Sequence, residues 1–190
     1  ADRVLIRYHL AKSAMPIQLR LKPFLAYRPA NDLTRENFYL QARTFSWKIR
    51  DGFKITPYNG MPDLFIQLDQ PNEFLPSPVW YRNFEYEAEA ARGFPAHEDL
   101  FQPGVFELTL KQGDVVHVSA SLAECRDSYA RTWSTELKRR QAVERRIATA
   151  ARAFKPSPLN GARRRLLRSA DNFLVTTPDG RRTVIAGYHW

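Results

Sequence analysis

The densest group of acids in this 190-residue chain lies in FEYEAEAARGFPAHEDL (84–100), which offers Glu85, Glu87, Glu89, Glu98 and Asp99. Paired carboxylates are the tools of glycoside hydrolysis, one acting as acid and its partner as base or nucleophile. The spacing argues against that use here. Glu85, Glu87 and Glu89 alternate along a strand and its exit, which places them on one solvated face. Glu98 and Asp99 are adjacent and so point differently, and ion pairs with Arg82 and Arg92 around the Arg92-Gly93 turn are expected to hold them. No catalytic residue is assigned within the chain.

Other chemistries have thinner support. The single cysteine, Cys125, excludes an internal disulfide framework, fits a reducing cytoplasm, and has no histidine placed to activate it as a nucleophile. Four scattered histidines and one cysteine do not make a zinc site, so neither a metal nor a cofactor is expected. Trp47, Trp80, Tyr81, Phe84 and Tyr86 could stack on the apolar face of a pyranose or could be sandwich core, and their spacing does not separate the two. Residues 131–168 hold 12 Lys/Arg against 2 Glu, a balance of +10 in a chain whose net charge is +9. Such a run could grip phosphates. It shares its segment with an apolar stripe, however, and lacks interleaved aromatics, so it reads as the wet side of a helix and no nucleic-acid partner is expected.

The elements that must position these residues change character near Asp127. Before it, RVLIRYHL (3–10), IQLRLKPFLAY (17–27), FYLQARTFSW (38–47), DLFIQLDQ (63–70), VWYRNFEY (79–86), VFELTL (105–110) and VVHVSASL (115–122) read as short β-branched and aromatic strands between turn signals. Seven or more such strands predict an antiparallel β-sandwich. After it, Tyr129, Trp133, Leu137, Val143, Ile147, Ala151 and Phe154 recur at helical steps, predicting one long amphipathic helix over 127–154 that Pro156 and Pro158 stop. Trp133 and Ile147 should be buried in it, and Arg139 and Arg146 exposed. A second helix is expected from Asn160, then a turn at Pro178-Asp179-Gly180 and an extended end. No apolar run approaches the roughly 18 residues that would span a bilayer, so no membrane partner is expected. The opening ADRVLIRYHL is strand-like and is not read as a signal peptide, and both ends are expected to fall within structured regions.

Three stretches taken together resemble a known family. WYRNFEYEAEAARGFPAHEDLFQPGVFELTL (80–110) resembles the signature of the N-terminal domain of bacterial and archaeal type glycogen debranching enzymes, the amylo-α-1,6-glucosidase family. Trp80, Tyr81, Phe84, Tyr86, Glu89, Arg92, Gly93, Glu98, Asp99, Leu100, Pro103, Gly104 and Phe106 carry that likeness. VLIRYHL (4–10) and LAYRPANDLTREN (25–37) are similar to its early strand and its tyrosine-arginine loop, although this chain has Ala30 and Asn31 where many relatives carry an aromatic and a histidine. RSADNFLV (168–175) and TVIAGYHW (183–190) are similar to the family's approach to its catalytic domain.

The resemblance implies a mainly β protein with C-terminal helices. A β-sandwich N-terminal domain would span 1–124, a helical linker 125–158, and the start of an α/α-toroid glycosidase domain 159–190. It also implies the non-catalytic N-terminal portion of a cytoplasmic enzyme that hydrolyses α-1,6 branch points of glycogen or limit dextrin. The two working carboxylates would come from the toroid, and this chain alone would be inactive. Tyr188 and Trp190 are the candidate sugar contacts. The partners implied are the α-glucan, met through the parent enzyme, and the remainder of the catalytic domain. Two other readings stand beside this one: a stand-alone glucan-binding module, and a nucleic-acid-binding protein using 131–168.

Overall fold

The computed structural model describes residues 3–29, 32–47, 52–152, 157, 159–171, 173–177 and 179–185, with Ser46 and Trp47 as backbone only. The chain divides into two compact units, 1–129 and 130–190.

The first unit is built from eight strands and one short helix: β1 (Arg3–His9), β2 (Ile17–Leu21), β3 (Thr44–Trp47), β4 (Gly52–Ile55), β5 (Leu64–Leu68), β6 (Glu73–Glu85), α1 (Glu87–Ala91), β7 (His97–Leu110) and β8 (Val115–Ser121). They form two antiparallel sheets, one in the order β1-β8-β5-β4-β3 and the other β2-β7-β6. Strand alternation explains how the sheets meet. In β7 Phe106, Leu108 and Leu110 are buried, whereas Val105, Glu107 and Thr109 are half-buried or exposed. Across from them, β4 sends in Phe53 and Ile55, β5 sends in Ile66 and Leu68, and β8 sends in Val116, all in one core cluster. The sheets are joined at Phe53, whose ring lies 4.3 Å from that of Phe74 on β6 and 5.6 Å from that of Phe106 on β7. The expected sandwich is therefore present.

Several element boundaries differ from expectation, for identifiable reasons. The strand expected over 38–47 survives only as Thr44–Trp47, because Asn37 folds the preceding residues into a turn. Gly52 and Lys54 interrupt the apolar pattern that would have announced β4, yet glycine is needed there: a Cβ on Gly52 would strike the Ile66 carbonyl oxygen of the neighbouring strand. The strands expected at 79–86 and 105–110 extend to 13 and 14 residues and pair with each other as one long hairpin. That hairpin contains Pro103-Gly104, a dipeptide that usually marks a turn; Gly104 instead sits inside β7, where an added Cβ would lie 2.5 Å from the Leu75 carbonyl oxygen and 2.5 Å from the Phe74 ring. Glu87 and Glu89, expected on a strand exit, lie instead on α1, which ends at Gly93 with φ +78°.

In the second unit α2 (Tyr129–Arg152) and α3 (Asn160–Asp171) are followed by β9 (Leu174–Thr176) and β10 (Arg182–Val184), an antiparallel pair. Ile147 is buried, but Trp133 is only half-buried, a common outcome for so large a ring. Arg139 and Arg146 are exposed as expected, and each spends its charge on an acid, Glu136 at 2.7 Å and Asp171 at 3.0 Å. Arg168 does the same with Glu144 at 2.6 Å. No helix among the described residues is long and apolar enough to cross a membrane.

Candidate functional site

The two adjacent acids of β7 are buried, Glu98 fully and Asp99 at 6% exposure. A β-strand sends neighbouring side chains to opposite faces, so each needs its own set of donors. Residues 22–29 and 32–36 supply most of both sets. They reach the edge of β7 beyond the end of β2: the Leu25 amide donates to the Phe101 carbonyl at 2.8 Å, and the Asp99 amide donates to the Thr34 carbonyl at 2.8 Å.

Glu98 accepts four hydrogen bonds from three groups. The Arg28 guanidinium grips both carboxylate oxygens, Nε toward Oε1 and Nη2 at 2.9 Å from Oε2. The Thr34 amide donates to Oε1 at 2.9 Å, and the Tyr86 hydroxyl donates to Oε2 at 2.5 Å. The Arg28 bonds, helped by those from Tyr86 and Thr34, outweigh burial and hold the carboxyl at about 2, against an ordinary 4.5. The same contacts raise the Tyr86 hydroxyl and the Arg28 guanidinium above their usual values.

Asp99 accepts from the Glu36 amide at Oδ2 and the Asn83 amide at Oδ1, both at 2.9 Å, with Arg35 Nη1 3.5 Å from Oδ1. Those two amide bonds, first Glu36 and then Asn83, keep it below the usual carboxylate range. Asn83 has φ +59° where β6 slips register between Tyr81 and Phe84. That left-handed conformation is costly for a residue with a Cβ, and the bond to Asp99 offsets the cost. The Asn83 side chain in turn accepts from Arg35 Nη1 at 3.2 Å.

This arrangement holds a loop on a sheet, and it suits neither acid to the work of a general acid or a nucleophile. A general acid must be protonated near neutral pH, and a nucleophile needs an open oxygen. Both acids are anionic at that pH, shielded from water and committed to donors. The ion pairs expected with Arg82 and Arg92 are corrected here. Glu98 pairs with Arg28 and Asp99 with Arg35, while Arg82 pairs with Glu36 and Arg92 with Glu89 at 3.2 Å. Sequence reasoning missed the true partners because Arg28 lies 70 positions from Glu98, and nothing local reveals that contact.

The other candidates disperse. Trp80 packs edge-on against Phe101 at 5.4 Å and joins the core. Tyr81 and Phe84 gather around Phe24 at 4.9 and 5.3 Å with steep interplanar angles, which offers no flat platform. Tyr86 belongs to the Glu98 clamp. Trp47 lies on β3, and its side chain is outside the described residues, as are Tyr188 and Trp190 entirely. Cys125 is buried, its amide donating to Gln67 Oε1 at 2.7 Å. His117 is likewise buried, with Nδ1 2.7 Å from Asp69 Oδ2. Among the described residues no group of three or more His, Cys, Asp or Glu gathers that could hold a metal ion.

A family model described as glycogen debranching enzyme N terminal matches residues 1–117, more than half of the chain. Comparison with curated proteins and with solved structures finds no match.

Proposed function

Because this chain belongs to the glycogen debranching enzyme N-terminal family, we propose that it is the non-catalytic N-terminal portion of an enzyme that hydrolyses α-1,6-glucosidic branch points of glycogen or a related α-glucan. The family match carries this reading. In it the sandwich, residues 1–124, supports a catalytic toroid whose first elements are residues 159–190, with 125–158 as the linker. The toroid contributes the acid and its partner carboxylate, Tyr188 and Trp190 meet sugar, and the whole enzyme works in the cytoplasm on glycogen or limit dextrin. What supports an inactive sandwich is the state of its two buried acids: Glu98 and Asp99 are saturated with donors and held anionic.

The test is glucose release from limit dextrin. The pure 190-residue chain should release none. Release by the chain, abolished by replacing any one of its own carboxylates, would overturn the proposal.

A further inference from the structure

Among the described residues of the sandwich, the most exposed aromatics are not those of the β6 cluster. They are Phe38, fully exposed, and Tyr39, 85% exposed, side by side at the tip of the segment that follows the clamp. Exposed rings on a floppy loop would mean little, but this tip is tied down on both sides. Asn37 Oδ1 accepts from the Tyr39 and Leu40 amides at 3.1 and 3.2 Å, and Asn37 Nδ2 donates to the Arg35 carbonyl at 2.9 Å and lies 3.1 Å from the Tyr58 hydroxyl. Before the tip, the Glu36 amide is fixed to buried Asp99; after it, the Gln41 amide donates to the Pro57 carbonyl at 2.8 Å. The two rings are thus held out from the framework, in water, where each loses the burial that aromatic side chains ordinarily gain.

The surroundings say what chemistry would cover them. Gln41 Nε2 donates to Asn59 Oδ1 at 2.5 Å, which leaves Gln41 Oε1 as an acceptor and Asn59 Nδ2 as a donor for an incoming hydroxyl. The nearest charges are already spent: Arg35 on Asp99 and Asn83, Glu36 on Arg82. The tip therefore offers two apolar faces and neutral amides, and the Arg43 guanidinium lies 4.8 Å from the centre of the Phe45 ring; such a surface fits a neutral polyol with an apolar ring face. A folded protein partner would need about 800 Å² of patch. Exposed Arg35, Glu36, Gln41 and Arg43 stand next to the rings in sequence instead, so the apolar run is short.

We infer that Phe38 and Tyr39, with Gln41 and Asn59 beside them, form an α-glucan contact on the sandwich. The inference rests on the debranching reading for its substrate class. Its test is retardation of the full 190-residue chain in native gels containing glycogen, with maltoheptaose as soluble competitor. The wild-type chain should be retarded, and the Phe38→Ala/Tyr39→Ala double variant should bind at least tenfold more weakly. Its melting temperature should be unchanged, because neither ring is packed. Phe94→Ala, which removes a different exposed ring, should bind as wild type. A wild-type chain that glycogen does not retard, or a folded double variant retarded equally, overturns the inference. So does a double variant that keeps glycogen binding while losing association with another polypeptide. None of these outcomes bears on whether the chain hydrolyses limit dextrin, so the two proposals fail separately.

Discussion

Replacing Glu98 by Gln keeps the shape of the side chain and removes its charge, which leaves Arg28 facing a neutral amide. Two independent routes give the cost. Glu98 titrates at about 2 in the folded chain against an ordinary 4.5, a difference worth ~3 kcal/mol. Removing one member of a buried ion pair costs ~3–5 kcal/mol. The Arg28 side chain keeps 19% exposure and a second bond to the Pro29 carbonyl at 3.0 Å, which pulls the expected loss toward ~2–4 kcal/mol at pH 7. The sign with pH follows from the lowered value. The stabilisation is fully present above 4.5, shrinks as pH falls below it, and is gone below about 2. Urea unfolding of wild type and Glu98→Gln at pH 7 and pH 3 should show the gap between them falling by about half or more. An equal gap at both pH values, or one under ~1 kcal/mol at pH 7, as an exposed pair would give, would refute the clamp.

Three further outcomes are expected. Gly104→Ala should lower the melting temperature far more than Gly161→Ala, because the former drives a Cβ into the Leu75 carbonyl and the Phe74 ring whereas the nearest atom to a Cβ on Gly161 is 4.0 Å away; equal losses would mean that β6 and β7 are not so closely apposed. Phe53→Ala, which empties the ring-to-ring junction between the sheets, should cost ~3–5 kcal/mol in chemical unfolding. Arg168→Ala should leave the urea midpoint of unfolding nearly unchanged, since its pair with Glu144 is exposed on both sides; a large shift would mean that the pair is shielded from water.

The sandwich was legible because its evidence is local: Phe106, Leu108 and Leu110 alternate with wetter neighbours, and any reader of period two finds them. The long helix was legible for the same reason, through Val143 and Ile147. What was hidden is what depends on contacts distant in sequence. Arg28 gave no sign of its partner, and Glu98 pointed to the nearby arginines, Arg82 and Arg92, because a contact 70 positions away cannot be read from its neighbours. Pro103-Gly104 looked like a turn because that dipeptide usually is one. Its glycine is there instead for the close approach of β6. Phe38 was taken for the start of a strand, since aromatic runs favour strands, until Asn37 turned the backbone.

The clamp also sets an order of events during synthesis. Residues 22–36 emerge from the ribosome well before β7, their docking edge, exists, since Arg28 and Glu98 are 70 positions apart. At ~5–20 residues per second that delay is ~4–14 s, long beside the microseconds in which a hairpin can close. Throughout it Arg28 lacks the Glu98 carboxylate, and Leu25 lacks the Phe101 backbone with which it pairs. The segment must therefore wait in an open state until the β6–β7 hairpin is delivered, and the length of that wait is fixed by the speed of translation rather than by the chemistry of folding.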